Sequence, residues 1–205
     1  MTNSFGEFAD AKLFLCIGTN MTEAHPVAST FLKNALRKGA KLIVVDPRRQ
    51  PLAKLADIYC QIKVGSDIAF LNGLMNVIIN EGLYDKDFVE NRCDNFEAFK
   101  AKIMEYPPER AAEISGVDVE TIRKVAHMLA TVKPAMLCYT LGITEHTTGK
   151  DNVMSTANLQ LLLGNLGMPS AGVNPLRGQN NVQGACDMGA LPNVFPGYQK
   201  VIDAA

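Results

Sequence analysis

Two short apolar segments on either side of a helical segment constrain the fold of this chain most strongly. Residues 12–17, KLFLCI, and residues 41–45, KLIVV, are continuous apolar runs, which are typical of strands buried on both faces of a parallel sheet. Between them, Pro26 stands at a first helical position and Gly39 at a position that ends a helix. This order predicts a βαβ unit with a right-handed crossover.

Later segments extend the same pattern. Residues 59–64 and 135–139 predict two more strands, and helical periodicity covers most of residues 67–130 and 151–164. The sequence therefore predicts an α/β fold that is doubly wound and Rossmann-like, with a mostly parallel sheet and helices on both faces. One or two strands at the edge of the sheet are not accounted for by these segments.

Composition and charge exclude several classes of function. The net charge of −1 lacks the basic excess expected of a nucleic-acid-binding protein, so we expect no nucleic-acid partner. No apolar run approaches the ~18 residues of a membrane-spanning helix, and residues 1–10 lack the apolar core of a secretory signal. We therefore expect no membrane insertion and a cytoplasmic location. The five cysteines form no CxxC pair and there are only three histidines, so we expect no metal ligand in this chain.

Residues 164–189, GNLGMPSAGVNPLRGQNNVQGACDMG, are rich in glycine and asparagine and show no helix or strand period. Both residue types tolerate positive φ and allow a backbone to approach a ligand closely. We expect an ordered loop around a polar, anionic ligand, with a surface loop that binds nothing as the alternative. Arg177 is the only cation between Lys150 and Lys200, and it suits a planar anion held by both arms of its guanidinium. Alternatively, it is tied to backbone carbonyls or to Asp187.

Residues suited to a nucleotide follow each of the first three predicted strands. In a parallel sheet, ligands bind outside the carboxyl ends of the strands. Asp46 could accept hydrogen bonds from ribose hydroxyls or from the N1–H and amino group of guanine, and Arg48 could pair with phosphate or stack on a base. The turns do not form a GxGxxG fingerprint, and ordinary strand-end turns remain the alternative. The candidate residues are Gly18, Asn20, Asp46, Pro47, Arg48, Gly65, Ser66 and Asp67, with His146 in the loop after the fourth strand.

Four segments of the chain resemble the catalytic (alpha) subunits of formate dehydrogenases, which are molybdopterin oxidoreductases. They are IGTNMTEAHPV, VDPRRQPLAKLAD, GSDIA and NPLRGQNNVQGACDMGALP. The resemblance implies the oxidation of formate to carbon dioxide at a molybdenum or tungsten ion held by bis(molybdopterin guanine dinucleotide). It also implies that Arg177 holds the formate carboxylate beside Gln179, that Gly178 binds the cofactor, and that Gly142 and His146 lie close to the pterin. The remaining candidates would hold one guanosine diphosphate arm of the cofactor.

The resemblance covers only an internal part of such a subunit. Family members carry an N-terminal part with an iron–sulfur cluster and a metal-ligating cysteine or selenocysteine, and a C-terminal domain that completes the second cofactor arm. We expect residues 1–172 to form an incomplete cofactor-binding domain and residues 173–205 to form the active-site loop and the start of the next segment. The partners would be formate, the rest of the catalytic subunit and electron-transfer subunits. Three possibilities stay open: an inactive fragment, a stand-alone guanine-nucleotide or cofactor-binding module, and one subunit of a split enzyme.

Overall fold

A computed structural model describes residues 1–179 and 181–201, so Asn180 of the predicted loop lies outside the described residues. The described residues contain one sheet of five strands: β1 (Leu13–Ile17), β2 (Lys41–Val45), β3 (Ile58–Cys60), β4 (Ala135–Tyr139) and β5 (Gly172–Pro175). The strand order is β3-β2-β1-β4-β5, and every neighbouring pair is parallel. This order confirms the predicted doubly wound fold. Its topological switch point, where ligands bind in such sheets, lies between β1 and β4.

Helices connect the strands and cover the sheet. The α-helices of the described residues are α1 (Met21–Ala24), α2 (Pro26–Arg37), α3 (Asp67–Asn80), α4 (Lys86–Arg92), α5 (Phe96–Ile103), α6 (Pro108–Ser115), α7 (Val119–Thr131), α8 (Leu141–Thr144), α9 (Gly149–Leu162) and α10 (Val182–Asp187). Short 3-10 helices cover Phe5–Asp10, Pro51–Leu55 and Pro196–Tyr198. Across residues 1–179 and 181–201, every helix is too short or too polar to traverse a lipid bilayer.

Alternate residues of each central strand point to opposite faces of the sheet, so the protein has two cores. Leu13, Leu15 and Ile17 of β1 belong to the larger core, which includes buried residues of α3, α7 and α9. Phe14 and Cys16 belong to the smaller core, which includes buried residues of α2 and of the 3-10 helix Phe5–Asp10. Because both faces are apolar, the strands are the continuous apolar runs that the sequence shows. The prediction of helices on both faces is confirmed.

The prediction of an irregular stretch over residues 164–189 is wrong in two places, because β5 and α10 lie within it. β5 reads GVNP and has no apolar alternation; it pairs with β4 on one side. On its other side, Thr2 donates its amide to the Val173 carbonyl at 3.0 Å, and the Val173 amide donates to Thr2 Oγ1 at 2.9 Å. Pairing with β4 and with Thr2, rather than the local sequence, therefore determines this strand. The predicted boundary at residue 172 falls within it, and the division into two domains stays a prediction.

The third strand is also shorter than predicted. It ends at Cys60, whereas the apolar pattern predicted a strand over residues 59–64. Beyond Cys60, Ile62 and Val64 belong to the loop that leads into α3, and both side chains line a cavity at the edge of the sheet. The apolar residues that extended the predicted strand therefore form part of the wall of this cavity.

Candidate functional site

The turns after β1, β2 and β3 meet the loop after β4 around one cavity of about 290 Å³, which we name the strand-end cavity. Its lining residues are Gly18, Thr19, Asn20, Asp46, Pro47, Arg48, Ile62, Val64, Gly65, Asp67, Thr140, Gly142 and His146. Except for Ser66 and Gly178, these include all the residues that the sequence proposed for cofactor binding. The Ser66 hydroxyl donates to the Lys63 carbonyl at 2.6 Å, so it is used within its own turn.

Two glycines form the floor of the site at the switch point. The Gly142 amide donates to the Gly18 carbonyl at 3.2 Å, and Thr140 Oγ1 donates to the same carbonyl at 2.9 Å. A Cβ atom at Gly142 would stand 2.6 Å from the Gly18 oxygen, and one at Gly18 would stand 2.7 Å from the Gly142 carbonyl carbon. Gly18 also has a φ of +54°, which other residues rarely adopt. The two loops can therefore touch only because both residues lack side chains.

Two carboxylates, an arginine and a histidine set the charge of the strand-end cavity. Asp46 accepts a hydrogen bond from the Arg48 amide at 2.8 Å. Burial raises the pKa of Asp46, and the hydrogen bond and charge of Arg48 oppose that rise. Burial also raises the pKa of Asp67, whose Oδ2 lies 4.0 Å from His146 Nε2. Carboxylates that are perturbed by burial and line a cleft are characteristic of functional sites.

The first turn also buries polar atoms that lack partners. Gln50 donates its side-chain amide to the Thr19 carbonyl. Within the described part of the chain, the Thr19 hydroxyl and Gln50 Oε1 are buried without a hydrogen-bond partner. Such atoms cost about 1–3 kcal/mol each unless water or a ligand satisfies them. Thr19 is part of the wall of the strand-end cavity, and its hydroxyl oxygen is itself buried.

Arg177, Gly178 and Gln179 line a second cavity of about 840 Å³, which we name the arginine cavity. Arg177 follows β5, so it lies at the same carboxyl edge of the sheet as the strand-end cavity. Thr140, after β4, lines both cavities. The structure thus brings all the sequence-predicted site residues except Ser66 into two neighbouring cavities.

Arg177 has partners that the sequence did not reveal. Its Nε donates to Gln183 Oε1 at 2.9 Å, and His25 Nε2 hydrogen-bonds to its backbone carbonyl. Gln183 Nε2 in turn donates to Asp187 Oδ1 at 2.8 Å. The alternative in which Arg177 binds Asp187 is therefore replaced by an indirect link, in which the Gln183 side chain lies between them.

From the sequence, we did not select Thr19, Gln50, Thr140 or His25 as site residues. Each of these residues either hydrogen-bonds to a backbone carbonyl at the site or buries a polar atom that has no partner among the described residues. The one available signal was position: Thr19 lies between the candidates Gly18 and Asn20, and Thr140 directly follows β4. Gln50 precedes the 3-10 helix Pro51–Leu55 and gave none.

The fold and these cavities define a class of protein: a doubly wound α/β domain with a cavity at its topological switch point. The particular family follows from comparison with known proteins. The model of the molybdopterin oxidoreductase family matches residues 1–205, and this chain belongs to that family.

Similar proteins agree with this assignment. The chain is 51% identical over 99% of its length to the F420-dependent formate dehydrogenase subunit alpha of Methanocaldococcus jannaschii, and 46% identical over 100% of its length to formate dehydrogenase H of Escherichia coli. It spans 30% and 29% of these relatives, respectively. Among solved structures, acetylene hydratase from Pelobacter acetylenicus is 42% identical with a TM-score of 0.74, covering 77% of this chain and 22% of that one. The chain is therefore homologous to part of the formate dehydrogenase catalytic subunits, which are oxidoreductases.

Proposed function

We propose that this chain is an internal part of a formate dehydrogenase catalytic subunit that oxidises formate to carbon dioxide, a proton and two electrons. In this proposal the chain holds one guanosine diphosphate arm of bis(molybdopterin guanine dinucleotide), carrying molybdenum or tungsten, and orients formate. The observation that carries the proposal is the convergence of the strand-end turns on one cavity beside Arg177. The acetylene hydratase similarity shows that the fold alone does not select a reaction. The identity of 46–51% with formate dehydrogenases is what favours formate.

The residues of the strand-end cavity fit a guanosine diphosphate group. Asp46 offers a carboxylate to the N1–H and amino group of guanine or to ribose hydroxyls, and Arg48 offers a cation to phosphate. Gly18 and Gly142 allow the loops after β1 and β4 to meet at the wall of this cavity, because a side chain on either would clash with the backbone of the other loop. When bound, the metal–pterin group would supply the two-electron redox chemistry.

The arginine cavity fits a small planar anion. Because Nε of Arg177 is engaged by Gln183, its remaining donors are the Nη1 and Nη2 groups, which form no hydrogen bond with residues 1–179 or 181–201. These groups match the two oxygens of a formate carboxylate. Gln179 lines the same cavity and offers amide hydrogen bonds to the same ligand. In the proposed reaction, these side chains bind and orient formate, and they move no proton.

A kinetic comparison of the complete, cofactor-loaded catalytic subunit tests this proposal. Arg177→Lys replaces the planar fork by a point charge, and the loss of one charge-assisted hydrogen bond should lower kcat/KM for formate roughly 10- to 100-fold. Arg123→Lys is the matched control, because Arg123 forms exposed ion pairs with Glu81 and Glu109 that contribute little. Equal formate kinetics in the two variants would contradict the proposal.

The other parts of the enzyme would come from outside this chain. No cluster of three or more His, Cys, Asp or Glu side chains suited to a metal ion occurs in the described ranges, 1–179 and 181–201. We propose that the iron–sulfur cluster, the residue that ligates the metal and the electron-transfer subunits belong to the rest of the protein and its partners. The chain alone should then give no formate turnover with added cofactor and a dye acceptor. The cytoplasmic location stays a prediction.

Two alternatives to an internal part of a longer subunit would use the same strand-end cavity. A stand-alone module would bind GDP at micromolar concentration in a calorimetric titration, whereas a fragment with no surviving site would bind none at millimolar concentration. A subunit of a split enzyme would need the missing parts of the catalytic subunit to be encoded in neighbouring reading frames. Sequencing of the surrounding gene distinguishes the split enzyme from a single longer chain.

A further inference from the structure

The side chain of Arg177 is the start of a hydrogen-bonded network whose next member, Gln183, also lines the arginine cavity. Arg177 Nε donates to Gln183 Oε1, as described above, and Gln183 lies in α10. Gln183 Nε2 donates to Asp187 Oδ1 at 2.8 Å and to the Tyr198 hydroxyl at 3.0 Å. The Tyr198 hydroxyl donates to Asp187 Oδ1 at 2.9 Å, which closes a ring of three side chains.

This ring fixes the orientation of the Gln183 amide. An amide offers two N–H donors and one carbonyl acceptor. Both donors of Gln183 have acceptors, Asp187 and Tyr198, so a flip of the amide would place its NH₂ group against the donor Nε of Arg177 and forfeit both bonds. The hydrogen bond and charge of Asp187 raise the pKa of Tyr198, which keeps its hydroxyl protonated as a donor. The carbonyl oxygen of Gln183 is thereby kept towards Arg177.

We propose that Gln183 is a positioning residue that sets the plane of the Arg177 guanidinium and leaves its Nη1 and Nη2 groups for the ligand. Only the choice of formate as that ligand rests on the proposed function. His25 hydrogen-bonds to the backbone carbonyl of Arg177 and Gln183 hydrogen-bonds to its Nε, so the residue is held at its backbone and at its guanidinium. A guanidinium is planar, and one hydrogen bond at Nε together with a fixed backbone defines the direction of the other two nitrogens. Orientation in advance reduces the entropy lost when a ligand binds.

Side-chain ¹⁵N NMR of the whole chain tests the positioning role without any ligand. Arg177→Lys identifies the Arg177 Nε–H signal by removing it. We expect this proton to exchange with water about tenfold more slowly in the wild type than in Gln183→Leu, since one hydrogen bond to a charged group is lost. Tyr198→Phe, which removes only one of the two acceptors that orient the amide, should give an intermediate rate. Gln199→Leu is the matched control, because the Gln199 side chain is exposed and has no hydrogen bond to any described residue, and it should exchange as the wild type does.

A formate titration of the same signal separates this inference from the proposed function. If formate shifts the wild-type signal, Gln183→Leu should need about tenfold more formate for half the shift. Equal exchange rates in Gln183→Leu and Gln199→Leu, or equal formate affinities, would overturn the positioning role. If formate leaves the wild-type signal unmoved, the assignment of formate to Arg177 fails, and the exchange rates still decide the role of Gln183.

Discussion

The contact between Gly18 and Gly142 leads to a prediction about both stability and binding. In Gly142→Ala, the new Cβ would stand 2.6 Å from the Gly18 oxygen and 2.7 Å from its Cα, whereas ordinary contacts begin at 3.4 Å. The two strand ends would have to separate by about 0.8 Å, and both partners are backbone, which no side-chain rotation can relieve. The displacement falls on the floor of the strand-end cavity.

The structure gives the size of the effect. Overpacking of a close contact costs about 1–3 kcal/mol, which for a protein of this size lowers the Tm by roughly 2–4 °C per kcal/mol. We therefore expect Gly142→Ala to lower the Tm by about 2–12 °C. Because the site is displaced together with the backbone, we also expect the affinity for GDP to fall about tenfold, which corresponds to about 1.4 kcal/mol.

Two other glycines provide controls for thermal melts and calorimetric titrations. A Cβ at Gly73 would stand 2.4 Å from the Ala111 Cβ, between α3 and α6 and outside the strand-end cavity, so Gly73→Ala should lower the Tm and leave GDP binding unchanged. Gly6→Ala meets nothing closer than 3.8 Å and should change neither. The reasoning is refuted if Gly142→Ala keeps wild-type stability and GDP affinity, or if Gly73→Ala weakens GDP binding to the same extent.

Three further substitutions test the charged groups. Hydrogen bonds from Asn3, Ser4 and Ser170 lower the pKa of Glu7 from 4.5 to about 2. These bonds therefore stabilise the fold fully above pH 4.5, and this stabilisation is lost as the pH falls through 2. Glu7→Gln should lower the Tm at pH 7 and have the same Tm as the wild type at pH 2. Burial raises the pKa of Asp67 above 3.8, so the ionised carboxylate lowers the stability of the fold; this destabilisation is absent below pH 3.8 and complete only above the raised pKa. Asp67→Asn should therefore raise the Tm at pH 7 but not at pH 3. Equal melting temperatures of the variant and the wild type at pH 7 would contradict this prediction. Asp46→Asn should reduce the preference for GDP over ADP roughly tenfold in calorimetry, and an unchanged preference would exclude Asp46 as the guanine acceptor.

The sequence predicted the central strands because a strand that is buried on both faces is a continuous run of apolar residues. β1, β2 and β4 are continuous apolar runs, and each was predicted to within one residue. β5 carries no such mark, because its pairing with β4 and with Thr2 is decided by residues far away in the chain. Local propensity cannot report a strand that tertiary pairing makes.

The location of the strand-end cavity also followed from the sequence, whereas its supporting contacts did not. The rule that ligands bind at the carboxyl ends of parallel strands requires only the strand boundaries, which is why Asp46 and Gly65 could be assigned to one edge. The partners of Arg177 depend on the rotamer of Gln183 and on the position of Tyr198, which no periodicity encodes. Ser66 was assigned to the cavity on sequence proximity, but its hydroxyl satisfies the Lys63 carbonyl instead.

Backbone amide NMR during addition of GDP tests most directly whether the strand-end cavity holds a guanosine diphosphate group. The account predicts that the largest shifts occur at Gly18, Gly65 and Gly142, which come from three separate loops and meet only in this cavity. The same amides should shift less with ADP at equal concentration. Shifts confined to the separate cavity beside Arg92 and Phe99, or no shifts at millimolar GDP, would contradict it.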